Sequence, residues 1–130
     1  MSPLEATNRL NGVLAHLWMI RTFLKHADEV TDDEQLIEVP RLLYDSIRAV
    51  EPAFLKQDYT TYLRRLKGKL PKLRKCAEMF AVEYKRVSAH TNFEMASASL
   101  TECVKRMEEI FAAISSTPIE PEEDQPTVAG

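Results

Sequence analysis

Residues 58–87 read DYTTYLRRLKGKLPKLRKCAEMFAVEYKRV, and their apolar side chains recur at alternating steps of four and three. The positions in this register are Tyr59, Leu63, Leu66, Leu70, Leu73, Ala77, Phe80, Tyr84 and Val87. This spacing places all of them on one face of an α-helix, and such a face packs against other helices. The stretch therefore predicts one long helix over about 58–87, with Asp58 as its N-cap and with Gly68 and Pro71 outside the apolar face.

Three other stretches have the same periodicity and predict three further helices. The first is expected over about 3–29, and a capping box that begins at Thr31 starts the second helix near Asp32. A second capping box, which begins at Thr91, starts the last helix, and this helix is expected to reach about Ser115. Their inward positions are Leu10, Val13, Leu17, Ile20, Leu24 and Ala27 in the first helix, Leu36, Val39, Leu43, Ile47, Val50 and Phe54 in the second, and Phe93, Ala96, Leu100, Cys103, Met107, Ile110 and Ile114 in the last.

Two prolines fall within the second predicted helix. Pro40 lacks the amide that would bond to Leu36, so we expect a kink there, or a restart with Pro40 in the first turn. Pro52 gives the same signal near the far end of the helix. Gln57 and Asp58 then form the expected turn into the long helix.

Four helices joined by short connections must run up and down against each other. The predicted fold is therefore all-α, an antiparallel up-down four-helix bundle over residues 1–115, followed by a disordered acidic C-terminal tail over 116–130. Two alternatives remain. One is a three-helix bundle whose second helix is broken at Pro40, and the other is a bundle completed only in a dimer.

Charge is unevenly distributed along the chain. The 130 residues carry 17 basic and 20 acidic side chains, a net charge of −3. Residues 116–130 hold four of the acids and no base, which leaves 17 basic and 16 acidic side chains in residues 1–115. The four acids are Glu120, Glu122, Glu123 and Asp124. Because residues 1–115 are close to neutral, bulk charge favours neither nucleic acid nor an acidic membrane as a partner.

The sequence predicts neither export nor a membrane span. Its start, Met1 to Glu5, lacks the basic and apolar segments of a signal peptide, and no apolar stretch approaches the roughly 20 residues of a membrane helix. Cys76 and Cys103 lie far apart, with no Cys or His at ligand spacing. We therefore expect a cytoplasmic protein with reduced thiols, in which both cysteines lie at the surface or seam of the bundle as small hydrophobic residues.

No catalytic residue, metal site or cofactor is predicted. Di-iron carboxylate bundles need Glu-x-x-His motifs, and no Glu lies three residues before a histidine in this chain. His26 with Glu29, and His90 with Glu94, lie at helix ends, where a cap or a salt bridge accounts for them. Nothing in the sequence places a base beside either cysteine, so no nucleophile is expected.

Two short motifs resemble known helical families. Leu66-Lys67-Gly68 resembles the end of the His-x-Leu-Lys-Gly signature of histidine phosphotransfer domains, but the position of the phosphorylated histidine is occupied by Arg64. Arg21 and His26 have the Arg-x4-His spacing of helical nucleases of the toxin type, although inside the first helix rather than at the start of a late one. Arg86 and His90 lie at a better place but one residue too close. A ribonuclease-like enzyme that uses Arg and His is therefore kept as an alternative.

The bases of the long helix form the strongest local charge bias. Between residues 64 and 75 the chain has seven bases and no acid, opposite the apolar face of the helix. They are interpreted either as the solvated back of an amphipathic helix or as an anion-binding surface. The residues named for that surface are Arg64, Arg65, Lys67, Lys72 and Lys75. No aromatic side chains alternate with the bases for stacking on nucleotides, so nucleic acid is not the expected partner.

The first helix has more apolar residues than one inward face needs. Trp18, Met19 and Phe23 lie away from the centre of that face, so they either pack against flanking helices or form a surface for a partner. Arg21 lies within the apolar sector. Its guanidinium either reaches the surface along its aliphatic stem or is a buried charge that needs an acceptor.

These features favour a non-enzymatic helical module that works by protein–protein association. The expected partner is another protein or a second copy of the chain, with no membrane involved. A nucleic-acid or anion-binding protein that uses the basic face of the long helix is the first alternative.

Overall fold

The structure, a computed structural model, describes residues 1–114, and 84% of these residues are helical. Residue 115 and the predicted tail over 116–130 lie outside the described residues. The helices are α1 (Pro3–Lys25), α2 (Asp28–Thr31), α3 (Glu38–Leu55), α4 (Tyr59–Glu83) and α5 (Thr91–Ala113), and a single 3-10 turn (Tyr84–Arg86) extends α4. No strand occurs over residues 1–114. The predicted all-α class is confirmed.

The long helix α4 begins as the sequence predicts. Asp58 is its N-cap, and the carboxylate of Asp58 accepts a hydrogen bond of 3.2 Å from the amide of Thr61. Gln57 precedes it with a φ of 58°, so the chain turns through the left-handed region between α3 and α4. Pro71 lies inside α4, and the last predicted turn of the helix tightens into the 3-10 turn. The predicted helix over 58–87 is confirmed except for this change at its end.

The connection between α1 and α3 differs from the prediction. The first helix ends at Lys25 rather than near residue 29, and the four-residue α2 follows. The proposed helix cap at Thr31 is wrong, because Thr31 ends α2, the Asp33 carboxylate caps the turn that follows, and the N-cap of α3 is Ile37. The Asp33 carboxylate accepts hydrogen bonds from the amides of Gln35 and Leu36 at 3.0 and 2.9 Å. The chain then passes through turns, and α3 begins at Glu38.

Pro40 lies in the first turn of α3, as expected for a helix restart, and α3 then continues to Leu55. Pro52 also lies inside α3 near its end. The restart expected at Pro40 is therefore found. Pro40 needs no amide partner at that position, because the first-turn amides of a helix have no acceptor within the helix.

The cap of the last helix lies one residue earlier than predicted. His90, not Thr91, is the N-cap of α5, and its Nδ1 accepts a hydrogen bond of 3.0 Å from the amide of Asn92. Thr91 is the first helical residue. The helix ends at Ala113, close to the predicted end at Ser115.

Side chains from all four long helices share one hydrophobic core, to which Val30 of α2 also contributes. Helix α1 contacts α3, α4 and α5, and α4 contacts both α3 and α5. Most predicted inward positions are buried. Those that are only half-buried are Ala27, Ile47, Phe54, Tyr59, Tyr84, Val87, Ile110 and Ile114.

Cys76 and Tyr62 of α4 lie deeper than the sequence indicates. Cys76 and Cys103 are both buried, so of the two placements expected for them, at the surface or at the seam of the bundle, only the seam agrees with the structure. Burial raises the pKa of the Cys76 thiol to about 12. Tyr62, outside the predicted stripe, is fully buried beside Phe54, with ring centroids 6.0 Å apart. Its hydroxyl has no hydrogen-bond partner within residues 1–114.

Candidate interaction surfaces

Two aromatic rings and two arginines meet where α1 packs on α3. Trp18 of α1 and Tyr44 of α3 have ring centroids 6.0 Å apart. The guanidinium carbon of Arg21 lies 4.6 Å from the Trp18 centroid and 4.8 Å from that of Tyr44. Arg48 lies over Tyr44 on α3, at 5.8 Å. We call these four residues the Trp18–Tyr44 cluster.

Arg21 is half-buried in this cluster. Its guanidinium contacts aromatic faces, which attract a cation through their quadrupole by about 0.5–2 kcal/mol each. This contact differs from both sequence interpretations, because the charge is neither fully enclosed nor simply directed to water. The sequence reasoning did not include Tyr44 and Arg48, which come from a different helix. The sequence does offer one signal for this contact: Tyr44 is an aromatic residue that directly follows Leu43, a predicted inward position.

The three apolar residues singled out on α1 point in three directions. Trp18 contacts α3, whereas the half-buried Phe23 contacts Phe93 of α5, with ring centroids 5.3 Å apart. Met19 lies between them on the helix circumference and is 66% exposed, while Trp18 is 36% exposed. Met19 and Trp18 are therefore available to a partner, and Phe23 mainly joins α1 to α5.

The bases of α4 differ in their exposure. Of the residues named for anion binding, Lys72 and Lys75 are exposed, whereas Arg64, Arg65 and Lys67 are half-buried. The Nη2 of Arg64 donates to Thr61 Oγ1 at 3.4 Å. Two other bases in the run are placed differently.

Lys69 is only 8% exposed, so this part of α4 is not a uniformly solvated helix back. Its aliphatic stem is enclosed by neighbouring side chains, as long basic side chains often are. Arg74 pairs with Glu108 of α5, with Nε and Oε1 3.0 Å apart. The part of the basic run that faces solvent is therefore centred on Lys72 and Lys75.

The Arg–His pair considered for a nuclease has structural contacts. Arg86 donates to Asp33 at 2.7 Å, to Glu83 at 2.9 Å and to Gln35 at 3.2 Å. His90 caps α5 through its Nδ1. Hydrogen bonding to Arg86 and to the Leu36 amide lowers the pKa of Asp33 to about 2. In this arrangement Arg86 joins α4 to the segment before α3, and His90 starts α5.

Over residues 1–114, no group of three or more His, Cys, Asp or Glu side chains is placed to hold a metal ion. None of the helices in the same range is both long and apolar enough to cross a membrane.

Comparison of the chain with family models, with curated proteins and with solved structures finds no match.

Proposed function

We propose that the chain is an antiparallel up-down four-helix bundle that works without catalysis, by associating with another protein chain. The antiparallel arrangement is supported by contacts near opposite ends of the same helix pair. Phe54 lies beside Tyr62 where α3 leads into α4, and Asp33, just before α3, pairs with Arg86, just after α4. Phe23 beside Phe93 places the end of α1 at the start of α5.

The Trp18–Tyr44 cluster, together with Met19, is the observation that carries the association proposal. Tryptophan, tyrosine, arginine and methionine are the side chains enriched in the centres of protein interfaces. Here all four types lie on adjacent helices, and Trp18 and Met19 retain exposed apolar surface. The contacts of Arg21 with both rings hold the cluster in one arrangement before a partner binds, which lowers the conformational entropy lost on association.

A double variant, Trp18→Glu/Met19→Lys, tests this proposal without changing the net charge. Sedimentation of the parent and the variant measures self-association, and circular dichroism checks that helicity is retained. We expect a smaller species for the variant if the partner is a second copy. If the parent is already a monomer, proteins recovered from the native lysate by the parent should be lost with the variant.

A matched control is available on the same chain. Val82 and Met95 are 69% and 55% exposed, so Val82→Glu/Met95→Lys makes the same charge changes on exposed apolar residues elsewhere. The control should associate as the parent does. The proposal is contradicted if the Trp18/Met19 variant unfolds while the parent is a monomer, or if the variant and the control retain the same partners.

An anion-binding function of α4 is the second candidate. It is favoured by one observation, the run of seven bases without an acid between residues 64 and 75, of which Lys72 and Lys75 face solvent. Binding to a labelled oligothymidine should then weaken steeply with salt, because neutralised phosphates release counterions. Replacing Lys72 and Lys75 by Gln should reduce that binding. Replacing Lys25 and Lys56, two exposed lysines of other segments, should not.

A further inference from the structure

The basic run of α4, residues 64–75, lies next to the point at which the described chain ends. The contact between Arg74 Nε and Glu108 Oε1, at 3.0 Å, fixes which residues of α4 and α5 are level with each other. The two helices are joined by a short connection, so they run in opposite directions. Six residues beyond Glu108 is Ile114, and six residues before Arg74 is Gly68. Ile114 is therefore level with the middle of the basic run.

The chain that follows Ile114 carries a cluster of opposite charge. Glu120, Glu122, Glu123 and Asp124 lie within five consecutive positions, and residues 116–130 contain no base. These four negative charges follow Ile114 by six to ten positions in sequence, and Ile114 is level with the run of seven bases. Because the charges on the rest of the domain are mixed, the acidic cluster is attracted more strongly to the basic run than to other parts of the domain.

The linking residues are long enough for this contact. Six residues, the number from 115 to Glu120, can span at most about 20 Å. The basic run covers about 17 Å, at 1.5 Å per residue of helix. The acids can therefore reach the exposed Lys72 and Lys75 of the run. Because they are tethered to it, their effective concentration at the run is on the order of millimolar, well above that of most free ligands.

We propose that the acidic segment Glu120–Asp124 binds the basic run of α4 in the same chain and competes there with anionic ligands. This contact is independent of the association through α1. It is electrostatic and involves surface residues, so it weakens as salt rises. The acidic segment would thus set the threshold at which an external anion gains access to α4.

The test compares the full chain with Glu120→Gln/Glu122→Gln/Glu123→Gln/Asp124→Asn, which keeps the length and removes the four charges. Asp28→Asn/Glu29→Gln/Asp32→Asn/Glu34→Gln is the matched control, since it neutralises four exposed acids elsewhere. Amide chemical shifts report the contact directly. At low salt the first variant should differ from the parent at residues 64–75, and this difference should vanish at high salt. The control should leave those shifts unchanged.

A second measurement uses binding of a labelled oligothymidine at low salt. The tail variant should bind it severalfold more tightly than the parent, and the control should gain much less. Equal gains in both variants would overturn the proposal, because only net charge would then matter. The proposal would also be overturned if the chemical shifts of residues 64–75 were the same in the parent and the tail variant. A shift difference that depends on protein concentration would overturn it too, because it would indicate contact between chains. If no protein binds the oligothymidine, the anion-binding function fails, and the chemical shifts alone decide the contact.

Discussion

Arg86 Nη1 lies 2.7 Å from Asp33 Oδ2, and this contact ties the end of α4 to the segment before α3 across 53 positions of sequence. The same Asp33 carboxylate accepts the amide hydrogen bond of Leu36 through Oδ1. The Asp33 side chain therefore caps the turn that precedes α3 and also attaches this turn to the end of α4. Arg86 is held in turn by Glu83, so the contact is part of a small network rather than an isolated surface pair.

Substitutions at Asp33 should separate its two roles. Asp33→Asn keeps an oxygen for the amides but removes the charge that faces Arg86, whereas Asp33→Ala removes both. We expect the thermal unfolding midpoint to fall from parent to Asn and fall further with Ala. Asp32→Ala, at the exposed neighbouring acid, is the control and should change the midpoint least. Equal midpoints for the Asp32 and Asp33 alanine variants would show that the network contributes nothing measurable.

The same carboxylate makes stability depend on pH in the acid range. Its pKa is about 2 in the folded chain, against an ordinary value of 3.8, chiefly because Arg86 donates to the charged form. The stability it contributes is fully present above the ordinary value and is lost as pH falls through about 2. Urea unfolding between about pH 5 and pH 2 should show a smaller decline for Asp33→Asn than for the parent. Parallel curves would contradict this assignment.

The buried hydroxyl of Tyr62 is expected to lower stability. It is fully enclosed, and it has no hydrogen-bond partner within residues 1–114. Burying a hydroxyl without a partner costs about 1–3 kcal/mol, so Tyr62→Phe should leave the free energy of unfolding unchanged or raise it by up to about that amount. Leu63→Ala, at the adjacent buried position, should instead lower it by about 2–5 kcal/mol. A clear loss of stability in Tyr62→Phe would mean that the hydroxyl is hydrogen-bonded, for example to a water molecule.

Both cysteines should be protected from thiol reagents in the folded chain. Burial raises the pKa values of Cys76 and Cys103, and the thiolate is the reactive form. A chromogenic disulfide reagent should react slowly with the native protein at neutral pH and rapidly with both thiols in denaturant. Cys76→Ser and Cys103→Ser assign the rates to each position. Fast reaction of one thiol under native conditions would show local opening of its helix.

Local sequence patterns predicted the helices well where a single face repeats without interruption. The stripe of α4 and its cap at Asp58 depend only on residues close in sequence, and both are confirmed. The caps at Thr31 and Thr91 were placed wrongly because several residues able to cap follow each other there. Which of them does so depends on tertiary packing, such as the burial of Val30 in the short α2.

Contacts between helices were beyond the reach of the sequence patterns. Trp18 was identified as unusual, but its neighbours Tyr44 and Arg48 come from α3 and meet it only when α1 packs there. The burial of Tyr62 and Lys69 has the same origin. Both lie beside the predicted stripe of α4, two turns apart on the same side of the helix, and Tyr62 packs against Phe54 of α3.

The pairing of Phe23 with Phe93 has a consequence for the kinetics of folding. Most helix pairs that touch are consecutive in the chain, whereas this one joins the first helix to the last and closes a loop of about seventy residues, at a high entropic cost. We expect it to form after the transition state. In stopped-flow measurements, Phe93→Ala should then accelerate unfolding more than it slows refolding. For Leu66→Ala in α4, a larger part of the lost stability should appear as slower refolding. The contact between α1 and α5 would thus set the unfolding rate, and so the lifetime of the native state, with little influence on the folding rate.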